Sequence, residues 1–247
     1  MREHIEHLGS LTIAWQNVAP GIYMKMLNFN KTSGERTGLF RFVPDEGAAP
    51  PNSCHYHSVA EELFILTGRM SFDNQAWLDQ YAYVFHPPFI VHGFDSRVPV
   101  ETTFLARADD DLDFNFPPVS EVKEPYYVQG EAPKRGLAYI QSLSESDWAL
   151  FKNPAGEVIG RQHILSEDTD TKEGTCLIRL YGGGRVPARS AGYEMCNEGF
   201  VLEGKVEADD GTVWRDGDYW HRQPGKAVPA LMVHEDALIL STASLAD

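Results

Sequence analysis

Two histidines one residue apart, His55 and His57, are followed four positions later by Glu61. Side chains on a β-strand repeat every second residue, so the two imidazoles face one side and can grip a single ion. Glu61 shares the parity of His57, so in an extended chain its carboxylate faces the same interior and Glu62 faces away. Leu63-Phe64-Ile65-Leu66 then reads as a buried strand, and Gly68 supplies the turn that ends it. Two imidazoles and a carboxylate on one face are a donor set for a divalent transition metal.

This spacing, His-x-His, three residues, Glu, six residues, Gly, resembles the first signature of the cupin superfamily, small antiparallel barrels that hold a metal in their mouth. The stretch from Leu78 to Gly93, a strand, the turn His86-Pro87-Pro88-Phe89 and a late histidine, resembles the second signature. Phe89 stands where family members usually carry glycine. The resemblance implies that His92 completes a shell of His55, His57, Glu61 and His92. Three imidazoles and one carboxylate suit Fe(II), and also Mn(II), Ni(II), Co(II) or Zn(II), with one or two positions left open for chemistry.

The elements that must position these ligands are short strands in a turn-rich chain. The 247 residues are 43% hydrophobic and 11% aromatic, with 21 Gly and 15 Pro, which predicts an all-β globular protein with few short helices. Leu11–Trp15 and Ile22–Leu27 read as strands at a barrel edge or crossing to a neighbouring subunit. Thr37–Val43 reads as the strand leading into the loop before Cys54, and Ser144 as the cap of a short helix. The acidic run Asp109–Asp113, followed by Phe116-Pro117-Pro118, reads as a solvated crossover.

An internal repeat organises the whole. Thr175–Leu180 echoes Thr37–Phe42, and Phe200-Val201-Leu202-Glu203-Gly204 echoes Phe64-Ile65-Leu66-Thr67-Gly68; from the first signature onward the offset is a constant 136 positions. The chain thus resembles a bicupin, two tandem cupin jelly-roll barrels. The expected division is a metal-binding cupin over 1–110, a linker over 111–135 and a degenerate cupin over 136–247. At the constant offset, the four ligands fall on Ala191, Tyr193, Asn197 and Val228, none a usual ligand, so one metal per chain is expected.

The strands around the signatures most resemble the cupins of aryl ketone and β-diketone dioxygenases and the cupin domain of zinc-dependent anti-sigma factors. The former implies a non-haem Fe(II) dioxygenase that takes O2 and cleaves a C–C bond beside a carbonyl. Leu63, Ile65, Tyr83 and Phe94 are expected to wall a pocket for a small organic ligand, by strand parity. His86 reads as an acid–base group if it turns toward that pocket and, preferably, as a surface turn residue. The alternatives are a ligand- or metal-sensing cupin, a lyase and an isomerase. Lyase cupins place a tyrosine two residues after the metal glutamate, where Leu63 stands here.

A formal charge of −15 argues against nucleic acid as a partner. Three cysteines without CxxC spacing, and no apolar run after Met1, argue for a cytoplasmic protein without a disulfide framework. No stretch reaches the roughly 18 apolar residues of a membrane helix. A homodimer or higher homo-oligomer is the expected assembly.

Overall fold

The computed structural model describes residues 2–118, 123–188 and 197–242. Strands dominate, and helical structure among the described residues is limited to single 3-10 turns at Ser10–Thr12, Pro44–Glu46 and Glu145–Asp147. The expected all-β, two-barrel architecture is what forms. No helix among these residues is long and apolar enough to cross a membrane. The chain divides into two compact units. One comprises Ala14–Leu143 with Arg2, and the other comprises Glu3–Ile13 with the chain from Ser144 onward.

In the first unit, seven antiparallel strands run in the order Ala138–Ile140, Tyr83–His86, Glu61–Thr67, Thr102–Ala108, Arg36–Phe42, Ile22–Phe29 and Gln16–Ala19. Aliphatic and aromatic residues suit such a pleated, half-buried surface. Leu63, Ile65, Val84 and Phe104 face inward onto Phe42, Met70, Leu78 and Val98. Each such side chain contributes about 1.5–3 kcal/mol when withdrawn from water. On the opposite face, Phe64 stacks on Tyr81 with ring centroids 5.9 Å apart. Gly68 closes the central strand at φ +86°, and a Cβ there would stand 2.3 Å from the Glu101 carbonyl oxygen. Phe89 adopts φ +65°, the conformation of the glycine it replaces. Its N–H donates to the His57 carbonyl at 2.7 Å, and its own carbonyl accepts from Val128 at 3.1 Å, so the turn is held from both sides.

The second unit repeats this plan. Its seven strands run Ile5–Gly9, Asp218–Arg222, Asn197–Glu203, Ala237–Ser241, Gly174–Leu180, Val158–Glu167 and Ala149–Lys152. Trp214, Trp220, Ile178, Val201 and Ile239 lie in its core. Gly204, the repeat partner of Gly68, has φ +84°.

The boundaries differ from those expected over 1–110, 111–135 and 136–247. Glu3–Ile13 belongs to the second unit, where Ile5–Gly9 pairs with Asp218–Arg222. The Leu11–Trp15 run begins in a 3-10 turn rather than a strand. The stretch expected to be a linker, and the start of the expected second cupin, are built into the first barrel: Asn115 bridges Tyr56, Tyr126–Tyr127 pairs with Ile90–Val91, and Ala138–Ile140 pairs with Tyr83–His86. The reason is edge protection. In each unit the strand of the second signature has an open edge, covered in one barrel by residues 138–140 and in the other by residues 5–9. Ser144 does cap a short helical segment, the 3-10 turn Glu145–Asp147, by accepting from the Ser146 N–H.

Removing residues 3–13 should therefore uncover the Asp218–Arg222 edge. Hydrogen exchange measured by mass spectrometry is expected to show lost protection at 218–222 in the truncated chain, with protection of Glu61–Thr67 retained.

Candidate metal centre

Backbone pairing brings the histidines together before any side chain acts. His55 and His92 exchange backbone hydrogen bonds at 3.0 and 2.9 Å, which sets their rings 4.5 Å apart. Gly93 follows at φ +77°, and a Cβ there would come within 2.9 Å of the His55 ring. His57 lies on the same side, with its ring 5.1 Å from both His55 and His92. Glu61 opens the next strand and pairs with His86. Its Oε2 lies 3.0 Å from His86 Nδ1, 3.6 Å from His92 Nε2 and 4.0 Å from His57 Nε2. Two overlapping ligand groups result, His55/His57/His92 and Glu61/His86/His92, each with its donor atoms within 4.8 Å of one another.

The outer nitrogens of the rings are already engaged. Nδ1 of His55 lies 2.8 Å from the Ser53 carbonyl, Nδ1 of His92 lies 3.1 Å from that of Ile90, and Nδ1 of His57 bonds the carbonyl of Asp113. An N–H donated from Nδ1 leaves the lone pair on Nε2, the arrangement in which outer partners orient metal ligands. Nε2 of His57, His86 and His92 is buried without a hydrogen-bond partner among the described residues. Leaving a buried polar atom unsatisfied costs about 1–3 kcal/mol. A divalent cation beside the Glu61 carboxylate would satisfy Nε2 of His57 and of His92, so the residues fit a metal.

Electrostatics favour the ligating forms. Burial would raise the Glu61 carboxyl, but the hydrogen bond from His86 and the nearby His86, His92 and His57 outweigh it and hold the group at about 2. Burial pushes His92 well below the ordinary imidazole range, with His86 adding to the shift, and lowers His55 too. Glu62 faces the other way, as parity requires. It meets Arg107, Arg135 and the Tyr83 hydroxyl in a buried ion cluster.

A cavity of about 500 Å³ opens beside the cluster, lined by His55, Glu61, Phe40, Phe72, Phe104 and Phe114 among others. Of the four residues expected to wall it, Leu63 does so. Ile65 lies in the core beneath. Tyr83 points to the opposite face, because His86 and Val84 take the inward positions of its strand. Phe94 is half-buried in the turn after Gly93 and is not a lining residue. His86 is no surface residue: it is 1% exposed, and its ring stacks on His92 at 3.8 Å. It positions Glu61 rather than lining the cavity.

The acidic run is likewise more than a solvated crossover. The Asp113 carbonyl holds His57, its carboxylate accepts from the Ser58 N–H at 2.8 Å, and Phe114 lies 4.9 Å from the His57 ring and 5.1 Å from that of His55. This strap was not legible from composition. Its one signal was the Phe-x-Phe pair, Phe114 and Phe116, directly after the acids.

In the second unit, Ala191 and Tyr193 fall outside the described residues. Asn197 replaces Glu61, Arg222 replaces His86 and Trp220 replaces Val84, while Gly199 stands for Leu63. The Trp220 indole N–H donates to Asn197 Oδ1 at 2.8 Å and Arg222 Nη1 to the same oxygen at 3.2 Å. A Cβ on Gly199 would stand 2.0 Å from the Trp220 ring. Indole and guanidinium occupy the space that ligands occupy in the first barrel. Outside it, Tyr219 donates to Glu198 at 2.5 Å, repeating the Tyr83–Glu62 pair.

Purified protein should carry about one transition metal per chain by elemental analysis, and His57→Ala should abolish tight binding. Glu61→Gln should lose metal with little loss of stability. Glu62→Gln should keep metal but unfold more easily, by about 3 kcal/mol, because two half-buried arginines lose their counter-charge. His86→Ala should weaken metal affinity by about 10–100-fold. Acid should destabilise the metal-free protein: folded His55 and His92 resist protons that the unfolded chain takes up below about pH 6.5. Melting temperature is thus expected to fall from pH 7 to pH 5, and metal affinity with it.

Residues 7–111 match the family model of the ChrR cupin-like domain. No curated protein matches the chain by sequence. Among solved structures, a Nostoc punctiforme protein provisionally assigned as a dioxygenase superposes over 100% of this chain and 88% of its own, with a TM-score of 0.74 and 15% identity. A tryptophan-to-tyrosine variant of Bacillus subtilis oxalate decarboxylase matches 95% of this chain and 76% of its own, with a TM-score of 0.59 and 13% identity. A glutamate-to-alanine mutant of the same enzyme gives 0.57 at 12% identity over the same shares. Mn(II) centres are named for that decarboxylase. At such identities the likeness is one of fold. Both signatures lie within the stretch that matches the ChrR cupin-like domain, and over the whole chain the likeness is to the fold of two-barrel structures built, like this one, from a repeated unit.

Proposed function

We propose that the first barrel is the site of a metal-dependent enzyme, a non-haem Fe(II) dioxygenase that cleaves a C–C bond of a small ketone or diketone. The observation that carries this reading is the junction of the His55/His57/Glu61/His92 cluster with a phenylalanine-lined cavity. When bound, Fe(II) supplies a redox-active centre with open coordination positions.

The chain's own residues do the rest. The His86 N–H holds the Glu61 carboxylate in place, and the Ser53, Asp113 and Ile90 carbonyls fix the three imidazoles. Phe72 and Phe114 pack edge-on against the histidine rings and keep water from that side. Phe40, Phe42 and Phe104 give an apolar body a place to lie. A small dianion such as oxalate has no apolar body to lay against these phenylalanines, so the cavity does not favour it.

Anaerobic protein loaded with Fe(II) should consume about one O2 per carbonyl compound cleaved, measured by oxygen electrode against a panel of aryl ketones and β-diketones. The Zn(II) form should be inactive, since zinc does not change oxidation state. Full turnover by the Zn(II) form without oxygen would replace this reading with lyase or isomerase chemistry. Binding without turnover by either form would point to a sensor.

A further inference from the structure

The strand Arg36–Phe42 sends alternate residues into the barrel. Phe40 and Phe42 are among them, and so is Arg36, which lines the same cavity. Register places this cation. Arg36 pairs with Ala108, and Ala108 pairs on its other side with Glu61. Arg36 and Glu61 therefore lie in one lateral row with alanine between them, two interstrand spacings or about 10 Å apart along the backbone. In the next row, Gly38 faces Ala106 and Ala106 faces Leu63. Small residues thus occupy the sheet between the cation and the ligand cluster.

Arginine is a costly choice for a position facing an aromatic cavity unless it meets an anion there. Its partner among the described residues is Asp111, at 3.3 Å, with a carboxylate side chain 87% exposed. Such pairs are weak and readily exchanged. The other arginines nearby are engaged elsewhere: Arg107 and Arg135 hold Glu62, and Arg2 holds Glu35 at 2.8 Å. Asp111 sits on the acidic strap, whose Asp111 N–H donates to Ser33 at 3.0 Å, so its side chain can swing off while the strap stays anchored. A guanidinium released in this way presents a planar fork suited to a carboxylate.

We propose that the cavity takes an amphipathic carbonyl acid, its carboxylate on Arg36 in exchange for Asp111, its carbonyl oxygen toward the cation that the His55, His57, Glu61 and His92 cluster would hold, and its apolar body against Phe40 and Phe104. This rests on the cavity being the substrate site of the first barrel. It makes the substrate anionic at the end away from the metal, and Arg36 the residue that selects it. The row of small residues gives the ligand room for about the length of a four-carbon keto acid bearing an aryl group.

The test uses Zn(II)-loaded full-length protein, so that binding is measured without turnover. Calorimetry compares 4-oxo-4-phenylbutanoate with the neutral butyrophenone, with zinc content determined on each sample. The acid is expected to bind at least about tenfold more tightly. Arg36→Gln should erase that preference while leaving butyrophenone affinity, zinc content and melting temperature near those of the parent. Asp111→Asn should tighten the acid a few-fold, because the competing carboxylate is gone. Equal affinity for the two probes, a preference that survives Arg36→Gln, or no binding of either probe to fully zinc-loaded protein overturns the proposal while leaving the metal centre intact. If zinc is not taken up, the metal reading fails instead, and the same acid-over-ketone comparison on metal-free protein decides the role of Arg36.

Discussion

The Glu61 side chain is 16% exposed, carries a full negative charge at neutral pH and sits among four imidazoles. A carboxylate so placed is tolerable only while its partners stay in register, and much of the first barrel serves that end. His86 reaches it from the neighbouring strand, the backbone pair of His55 and His92 brings two rings to the same point, and Gly93 keeps the way clear for one of them. The strap through Asp113 then fixes His57 from outside the sheet. The buried nitrogens without partners complete the picture, since a low-dielectric pocket makes each unmet lone pair expensive and a bound cation correspondingly favourable.

The duplicated barrel shows the same constraint met differently. Replacing Glu61 by Asn197 removes the charge, and replacing His86 by Arg222 puts a permanent cation at the position. Arg222 is 3% exposed, lies 5.5 Å from the Trp220 ring and 5.6 Å from Trp214, and ties to Glu6 at 3.1 Å. Trp220 can fill the interior because Gly199 yields the volume that Leu63 occupies in the first barrel. The outward Glu–Tyr pair persists in both units, so it belongs to the scaffold, whereas the inward pair is where one copy keeps ligands and the other keeps packing.

The two faces of one short strand thus separate function from stability. Glu61 looks into the cavity and Glu62 into an ion cluster with Arg107 and Arg135. Burying that cluster costs desolvation, which its hydrogen bonds offset only while all members are present. Because Arg135 comes from the chain after the first barrel's signatures, the cluster also pins a segment whose composition reads as linker.

The sequence by itself determined the all-β class and the duplication, because strand parity and turn glycines act over a few residues and leave their pattern in local order; parity selected Glu61 over Glu62 only for a chain that stays extended after His57. It also showed that the second copy lacks the ligand set, since the repeat offset is a matter of counting. Only the tertiary structure decided that His86 is buried against Glu61, that Tyr83 faces outward, and that Arg36 faces the cavity. It also decided that Ile5–Gly9 completes the second barrel and that residues 113–115 strap the first. These depend on which edges are left open and which distant segment covers them, a competition between long-range pairings that no window of the sequence records.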